Sequence, residues 1–359
     1  MKELTPLRSS IHLHTYASDG NGSISDICKA ARQEGLDCIV IADHDTLGHN
    51  INGYAGNLLV ITGEEITPQY QERITETGAI KGTSANNHIL ALGHGKVIHN
   101  GGCTPQELIN LIHEFGGMPF LAHPDEPGHP WVDWSWSVTG FTGPEIWTYK
   151  AAWKRGGAVQ APSITYAWRN PDSVLADPNE CEISAWDKMG RHRRVVGLGC
   201  ADNHNFVSSI EGVERTVFPW NIGLTGIVSY VLVEPGELER DPVRAFLDSI
   251  KKGRVIIAHD GLSIAKGFSI KAINRKVAET FWPGDYLENW KGICVEIFSP
   301  KVASISVLKD GSLFYEKKAQ HCEVQVDGPG VWRVEARLDG RPWIYTNPFY
   351  IGVWGYKED

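Results

Sequence analysis

The sequence predicts a two-part chain, an α/β region over residues 1–267 followed by a small all-β region over 268–359. Three observations carry this. Apolar strands alternate with amphipathic helices as far as about residue 260, and several of these strands end in His, Asp or Glu. Helical periodicity disappears from about Phe268, where short strands alternate with turns. Within that second region Asp310-Gly311 and Asp339-Gly340 supply the positive φ that tight hairpins need.

The stretch from Ser10 to Asp45 organises the rest. Alternation along a strand puts His12 and His14 on one face, so both can reach one ion. Asp19 follows on a Gly-rich turn that bends back toward them. Ser23 and Asp26 form a capping box, Ile24, Ile27, Cys28 and Ala31 make an apolar stripe, and Gly35 closes the helix. Cys38 to Ala42 is then continuously apolar, as a strand buried on both faces should be, and it ends in Asp43-His44-Asp45. Polar groups at the carboxyl end of a buried parallel strand mark a site. With 14 His in the chain a lone His-x-His is a weak signal. Its conjunction with Asp19 and the Asp-His-Asp strand end is a stronger one.

Leu58 to Thr62 is a third strand, ending in Gly63-Glu64-Glu65, and Thr67 to Asn87 is a polar loop. His88 to Gly93 is a strand that opens on a His. Thr104, Pro105 and Glu107 start a helix whose buried stripe is Leu108, Leu111, Ile112 and Phe115. Met118 to Ala122 delivers His123, and a weaker strand at Glu145 to Thr148 precedes an irregular region. Seven of the 13 Trp lie between Trp131 and Trp186. They either fill a core or, in the case of Trp131, Trp134 and Trp136, form an aromatic wall over the site. Val195 to Leu198 leads into Asp202 and His204. Asp241-Pro242 starts a last helix bearing Val243, Phe246, Leu247 and Ile250, and Val255 to Ala258 runs to His259. The second region shows strands at Ile293–Phe298, Ser304–Lys309, Leu313–Lys317, Cys322–Val326, Trp332–Leu338 and Trp343–Ile351, the spacing of a β-sandwich.

A net charge of −9, with 42% hydrophobic and 21% charged residues, describes a soluble globular chain. It argues against a nonspecific nucleic-acid surface and an anionic-membrane surface. Seven scattered Cys without a Cys-x-x-Cys pair read as reduced thiols of a cytoplasmic protein, and no run reaches membrane-spanning length.

Nine residues of ligand type collect at the expected strand ends: His12, His14, Asp19, His44, Glu65, His88, His123, Asp202 and His204. Carboxylates and imidazoles without thiolate suit Zn, Mn or Fe, and nine are too many for one ion. The run His12-Leu13-His14, Asp19, Asp43-His44-Asp45 and Gly63-x-Glu65 resembles the PHP family, the polymerase and histidinol phosphatase metallohydrolases. The resemblance spans roughly residues 9 to 260 and implies a distorted (β/α)7 barrel with two or three divalent ions. It implies one ion on His12, His14, Asp202 and a bridging Glu65, a second on Glu65, His88 and His123, and a third on Asp19, His44 and His204. Glu65 is preferred to Glu64 by the family's Gly-x-Glu pattern, and His88 to His94 because it stands first in its run. Catalytic roles fall to Glu65, Asp202 and His204. The second region resembles the immunoglobulin-like appendage of a branch related to carbaryl hydrolase, including its Thr346-Asn347-Pro348-Phe349 ending.

The leading expectation is a phosphoesterase that hydrolyses a small phosphomonoester or phosphodiester with hydroxide formed from a water between two cations. The alternative is a carbamate, ester or amide hydrolase using the same centre, and a minor one is a non-catalytic metal-binding scaffold. The amidohydrolase superfamily, which also opens on His-x-His, fits less well, because Asp19, the Asp43-His44-Asp45 end and Gly-x-Glu65 match PHP. Asp43 and Asp45 are either acceptors for ligand imidazoles or loop caps. The partner expected is a small-molecule substrate. The role of the sandwich and the formation of a homo-oligomer stay open.

Overall fold

The computed structural model describes residues 3–48, 50–68, 88–99, 102–126 and 138–353. The expected aromatic wall of Trp131, Trp134 and Trp136 and most of the expected 67–87 loop lie outside these residues.

The first part holds β1 (Thr5–Leu13), β2 (Cys38–Ile41), β3 (Gly53–Ala55), β4 (Leu58–Thr62), β5 (Glu64–Ile66), β6 (Ile89–Leu92), β7 (Met118–Leu121), β8 (Gly143–Thr148) and β9 (Leu198–Cys200). A hairpin follows, β10 (Val207–Ile210) and β11 (Val213–Thr216), then β12 (Ile227–Val233) and β13 (Val255–His259). β1, β2 and β4 are parallel, and β12 and β13 extend their sheet antiparallel from the other edge of β1. A five-stranded sheet in the order β5-β6-β7-β8-β9 meets the first at two bridges, His44 opposite Glu65 and Leu13 opposite Asn203. The chain is therefore mixed α/β, with two sheets joined where the candidate ligands sit.

Alternation decides what fills the space between the sheets. Ile11, Val40, Ile61, Leu90, Phe120 and Val231, from six different strands, share one buried core with Phe246 and Ile250 of helix Pro242–Lys251. Each such side chain contributes roughly 1.5–3 kcal/mol by leaving water. The intervening residues of β2, β4 and β12 face a second core, which includes the Ile24, Ile27, Cys28 and Ala31 stripe of α1 (Ile24–Gln33). Helix α1 forms as expected: Ser23 Oγ accepts from Asp26 N at 3.2 Å and the Asp26 carboxylate accepts from Ser23 N at 2.9 Å.

Other elements depart from expectation. In α2 (Pro105–Glu114) the buried stripe is Leu108, Ile109 and Ile112, while Phe115, at the C-cap where the chain turns away, is 40% exposed. The region after Thr148 is helical, at Tyr149–Gln160, Ile164–Arg169 and Glu180–Gly190. The first of these has no side-chain cap at Thr148, so its start carries no sequence signal. β9 begins where Val195–Leu198 was expected to end. Ile227–Val233, absent from the expected strands, is buried at every residue and lies between β1 and β13.

The second part holds β14 (Ser269–Asn274), β15 (Glu279–Phe281), β16 (Tyr286–Leu287), β17 (Ile293–Lys309), β18 (Ser312–Gln325), β19 (Gly330–Leu338), β20 (Arg341–Thr346) and β21 (Phe349–Ile351). Two pairs of expected strands merge into β17 and β18, with the irregularity between Phe298 and Ala303. Both Asp-Gly turns have positive φ at each residue: 52° and 79° at Asp310-Gly311, 48° and 81° at Asp339-Gly340. β13 pairs with β20, so one sheet runs from the first part into the second. All seven Cys are unpaired. No helix among the described residues is long and apolar enough to cross a membrane.

Candidate metal centre

The end of β1 is not a regular strand. His12 has φ 72°, and the pairing of β1 with β2 shifts register between Ile11 and Leu13. His12 and His14 do share a target, with Nε2 atoms 3.0 and 3.2 Å from Glu65 Oε2. A bulge, not the strict alternation expected from sequence, brings them together. The next turn closes tightly on His14, since a Cβ on Gly20 would stand 2.2 Å from the His14 carbonyl oxygen. Asp43 accepts from Thr15 N and Thr15 Oγ1, both at 2.7 Å, and from Ser18 Oγ at 2.6 Å. It thus pins the loop that carries Asp19. Asp45 accepts from Thr67 N at 3.1 Å. For Asp43, of the two expected roles, these bonds are those of a loop cap.

Glu65 lies at the centre. Its Oε2 faces His12, His14 and, at 3.4 Å, His44 Nε2. Its Oε1 faces His88 Nδ1 at 2.7 Å and His123 Nε2 at 2.9 Å. Asp202 Oδ1 stands 3.5 Å from His14 Nε2 and 3.9 Å from His12 Nε2. Asp19 Oδ2 stands 3.3 Å from His204 Nε2 and 3.7 Å from His44 Nε2. All nine expected residues therefore converge. Glu64 and His94 face elsewhere and pair with each other, Nε2 to Oε2 at 3.0 Å. His123 (φ 28°) and Asp202 (φ 49°) share the left-handed backbone of His12, a strain that gathers at functional sites.

Ligands held 2.0–2.2 Å from a tetrahedral cation lie about 3.4 Å apart. The ligand atoms of His12, His14, Glu65 and Asp202 lie within 4.8 Å of one another and form one group; those of His14, Asp19, His44 and His204 form another. His44, Glu65 and His88 form a third, and His123, Glu126 and Asp202 a fourth. His12 Nε2, both ring nitrogens of His14 and both carboxylate oxygens of Asp202 are buried without a hydrogen-bond partner. Buried polar atoms are rarely left so. The residues fit divalent cations.

Sequence reasoning missed the outer ring. Glu145 Oε1 lies 2.6 Å from His12 Nδ1, while its Oε2 accepts from His123 N and Thr148 Oγ1, each at 2.8 Å. A lone acid in the buried strand Gly143–Thr148 was the available signal. Glu126 Oε2 stands 3.1 Å from His123 Nδ1. Lys150 Nζ stands 2.9 Å from Asp202 Oδ2. Lys150 sits on a helix that carries no sequence signal for its start.

Electrostatics follow from this packing. Burial pulls the His12 pKa down, but Glu145 and Glu65 outweigh it and hold the ring well above its ordinary value. His14 is raised against burial by Asp202 and Glu65, and His123 is raised against burial, chiefly by Glu65, to about 9. Burial, with His14 and Lys150, lowers His204 to about 4. Burial also lowers His44, against the pull of Glu65. Burial opposes ionisation of Glu65 and Asp202, yet His12 and His88 hold the first, and Lys150 the second, well below the usual carboxylate range. The carboxylates thus favour protonated His12, His14 and His123, while His44 and His204 are favoured neutral.

No family model matches the chain, and no curated protein matches it. Several solved structures do. One, from Bacteroides vulgatus, is a two-domain protein containing a predicted PHP-like metal-dependent phosphoesterase, with 14% identity over 96% of this chain and 95% of that one, at a TM-score of 0.40. Another, from Bifidobacterium adolescentis, is described as a candidate metal-dependent phosphoesterase, with 16% identity over 56% of this chain and 89% of that one, at 0.33. A third is EndoQ of Pyrococcus furiosus, a lesion-specific endonuclease, with 12% identity over 68% of this chain and 56% of that one, at 0.40. At TM-scores of this size the likeness decides neither fold nor activity.

Proposed function

We propose that the chain is a metal-dependent phosphoesterase of PHP type, acting on a small phosphomonoester or phosphodiester. Its first part, residues 1–267, is read as a distorted (β/α)7 barrel and its second, 268–359, as an immunoglobulin-like sandwich. The nine residues His12, His14, Asp19, His44, Glu65, His88, His123, Asp202 and His204 would hold two or three divalent ions of Zn, Mn or Fe.

One observation carries this reading: each Glu65 oxygen faces its own set of imidazoles, His12, His14 and His44 on one side and His88 and His123 on the other. A carboxylate shared between two cations would face its neighbours in this way. Bound cations would supply an acidified water for attack and neutralise charge developing on the ester oxygens. Glu145, 2.6 Å from His12 Nδ1, would hold a proton there and leave Nε2 for a cation. His204, held neutral, can ligate without first losing a proton. Asp202, kept ionised, offers a carboxylate oxygen to the first group.

The test is p-nitrophenol release from a phosphate monoester, a phosphate diester, a carboxyl ester and a carbamate, by Mn-loaded and by chelated protein. Chelator-sensitive turnover confined to the phosphates is expected. Faster cleavage of the carboxyl ester or carbamate would move the activity to carbonyl hydrolysis. A chain that takes up no divalent cation overturns the reading.

A further inference from the structure

Lys150 lies in the first turn of helix Tyr149–Gln160, its side chain 17% exposed. Its Nζ is 2.9 Å from Asp202 Oδ2 and 4.0 Å from Glu126 Oε1. One helical turn on, Lys154 pairs with the same Glu126 oxygen. The other Glu126 oxygen reaches His123 Nδ1 at 3.1 Å, and His123 Nε2 faces Glu65 at 2.9 Å. A continuous set of charges thus runs from Asp202 through Lys150 and Glu126 to His123. The Asp202 carboxylate is divided by it. Oδ2 lies in ion-pair contact with the ammonium, and Oδ1 faces His12 and His14. Tilting the carboxylate plane away would lengthen the Lys150 contact, so the ion pair favours the orientation in which the other oxygen faces His12 and His14. Among the described residues no other Lys or Arg pairs with Asp202, and Lys154 reaches Glu126 alone.

We propose that Lys150 is a positioning residue of the metal centre: by holding Asp202 Oδ2 and Glu126, it presents Asp202 Oδ1 and His123 Nε2 to cations shared with Glu65. This rests on the metal-centre reading above and deepens it. Lys150 acts through its two carboxylates and needs no contact with substrate.

The experiment titrates chelator-stripped protein with Mn²⁺ by calorimetry and measures retained metal after gel filtration, for wild type, K150M, K150R and K154M. K150M is expected to bind the cation about 10–100-fold more weakly, as loss of an outer-shell partner does, and to retain less metal. K150R should recover part of the loss, because a planar fork keeps the charge but not the point contact. K154M should lose less than K150M. If K150M does not fold, K150Q takes its place, keeping a donor without the charge. Wild-type affinity in the Met or Gln variant, with only the melting temperature of the metal-free protein changed, assigns Lys150 a packing role and overturns the proposal. That result leaves the phosphoesterase reading standing if wild type cleaves phosphates only when loaded. A wild-type chain that binds none of Mn²⁺, Zn²⁺ and Fe²⁺ overturns both.

Discussion

Glu65 collects five imidazoles on two oxygens, and at the scale of single residues the centre depends on it more than on any one His. Glu65→Gln keeps the shape but removes the charge, and metal retained after gel filtration should fall to background. Glu145→Gln acts one step further out. His12 loses the charge on the acceptor facing its Nδ1, and Mn²⁺ affinity should drop about 10–100-fold with little change in the metal-free fold. Calorimetry on the two variants separates a ligand from its support. Protons give a third outcome. His12, His14 and His123 are raised in the metal-free chain, so a cation must displace protons to bind them. Fewer protons compete at higher pH. Apparent Mn²⁺ affinity should therefore climb from about pH 6.5, the ordinary His value, toward the His123 value of about 9. Affinity that is flat or falling over that window contradicts this. The contribution of His123 to the metal-free fold runs the other way, full below the unfolded value of about 6.5 and lost as pH rises through about 9.

At the scale of elements, local patterns were legible where one residue type does one job. Ser23, Asp26 and the α1 stripe fold as the sequence indicates, because a capping box and a 3.6-residue period are local properties. Ser23→Ala should cost about 1 kcal/mol, read as a lower urea midpoint at unchanged slope. Helix Tyr149–Gln160 was not legible. It lacks a cap, and Lys150 and Lys154 face charges that arrive from Glu126 and Asp202, far along the chain. Ile227–Val233 escaped for a different reason. A short run that is polar only at Ser229 has no period to read, and its partners β1 and β13 make it a strand.

Across the whole molecule the two parts are not independent. Beyond the β13–β20 ladder, Asn347 Oδ1 accepts from Gly197 N at 2.8 Å, while its Nδ2 donates to Gly197 O and Val255 O. Tyr350 Oη accepts from Val195 N at 3.1 Å. The Thr346-Asn347-Pro348 ending thus braces the backbone that enters β9, whose far end carries Asp202 and His204. A buried pair, Arg333 Nε to Asp187 Oδ1 at 2.6 Å, adds a second clasp. A chain cut after Gly267 exposes one edge of β13 and should aggregate or lack a cooperative melt, measured by light scattering and thermal unfolding. A soluble, sharply melting 1–267 fragment would show the division at 267 to be an autonomous boundary.

The residue types of the candidate centre were determined by the sequence alone. Imidazoles and carboxylates at strand ends announce themselves by type and by short spacings such as His12-x-His14 and Asp43-His44-Asp45, which need no knowledge of the fold. Tertiary structure decided which face each strand end presents and what stands behind each ligand. The left-handed turn at His12, the separation of Glu65 from Glu64, and the support given by Glu145, Glu126 and Lys150 all arise between residues distant in sequence. A bulge and a buried ion pair are set by the partners that packing brings together, and those partners leave no periodicity in the chain.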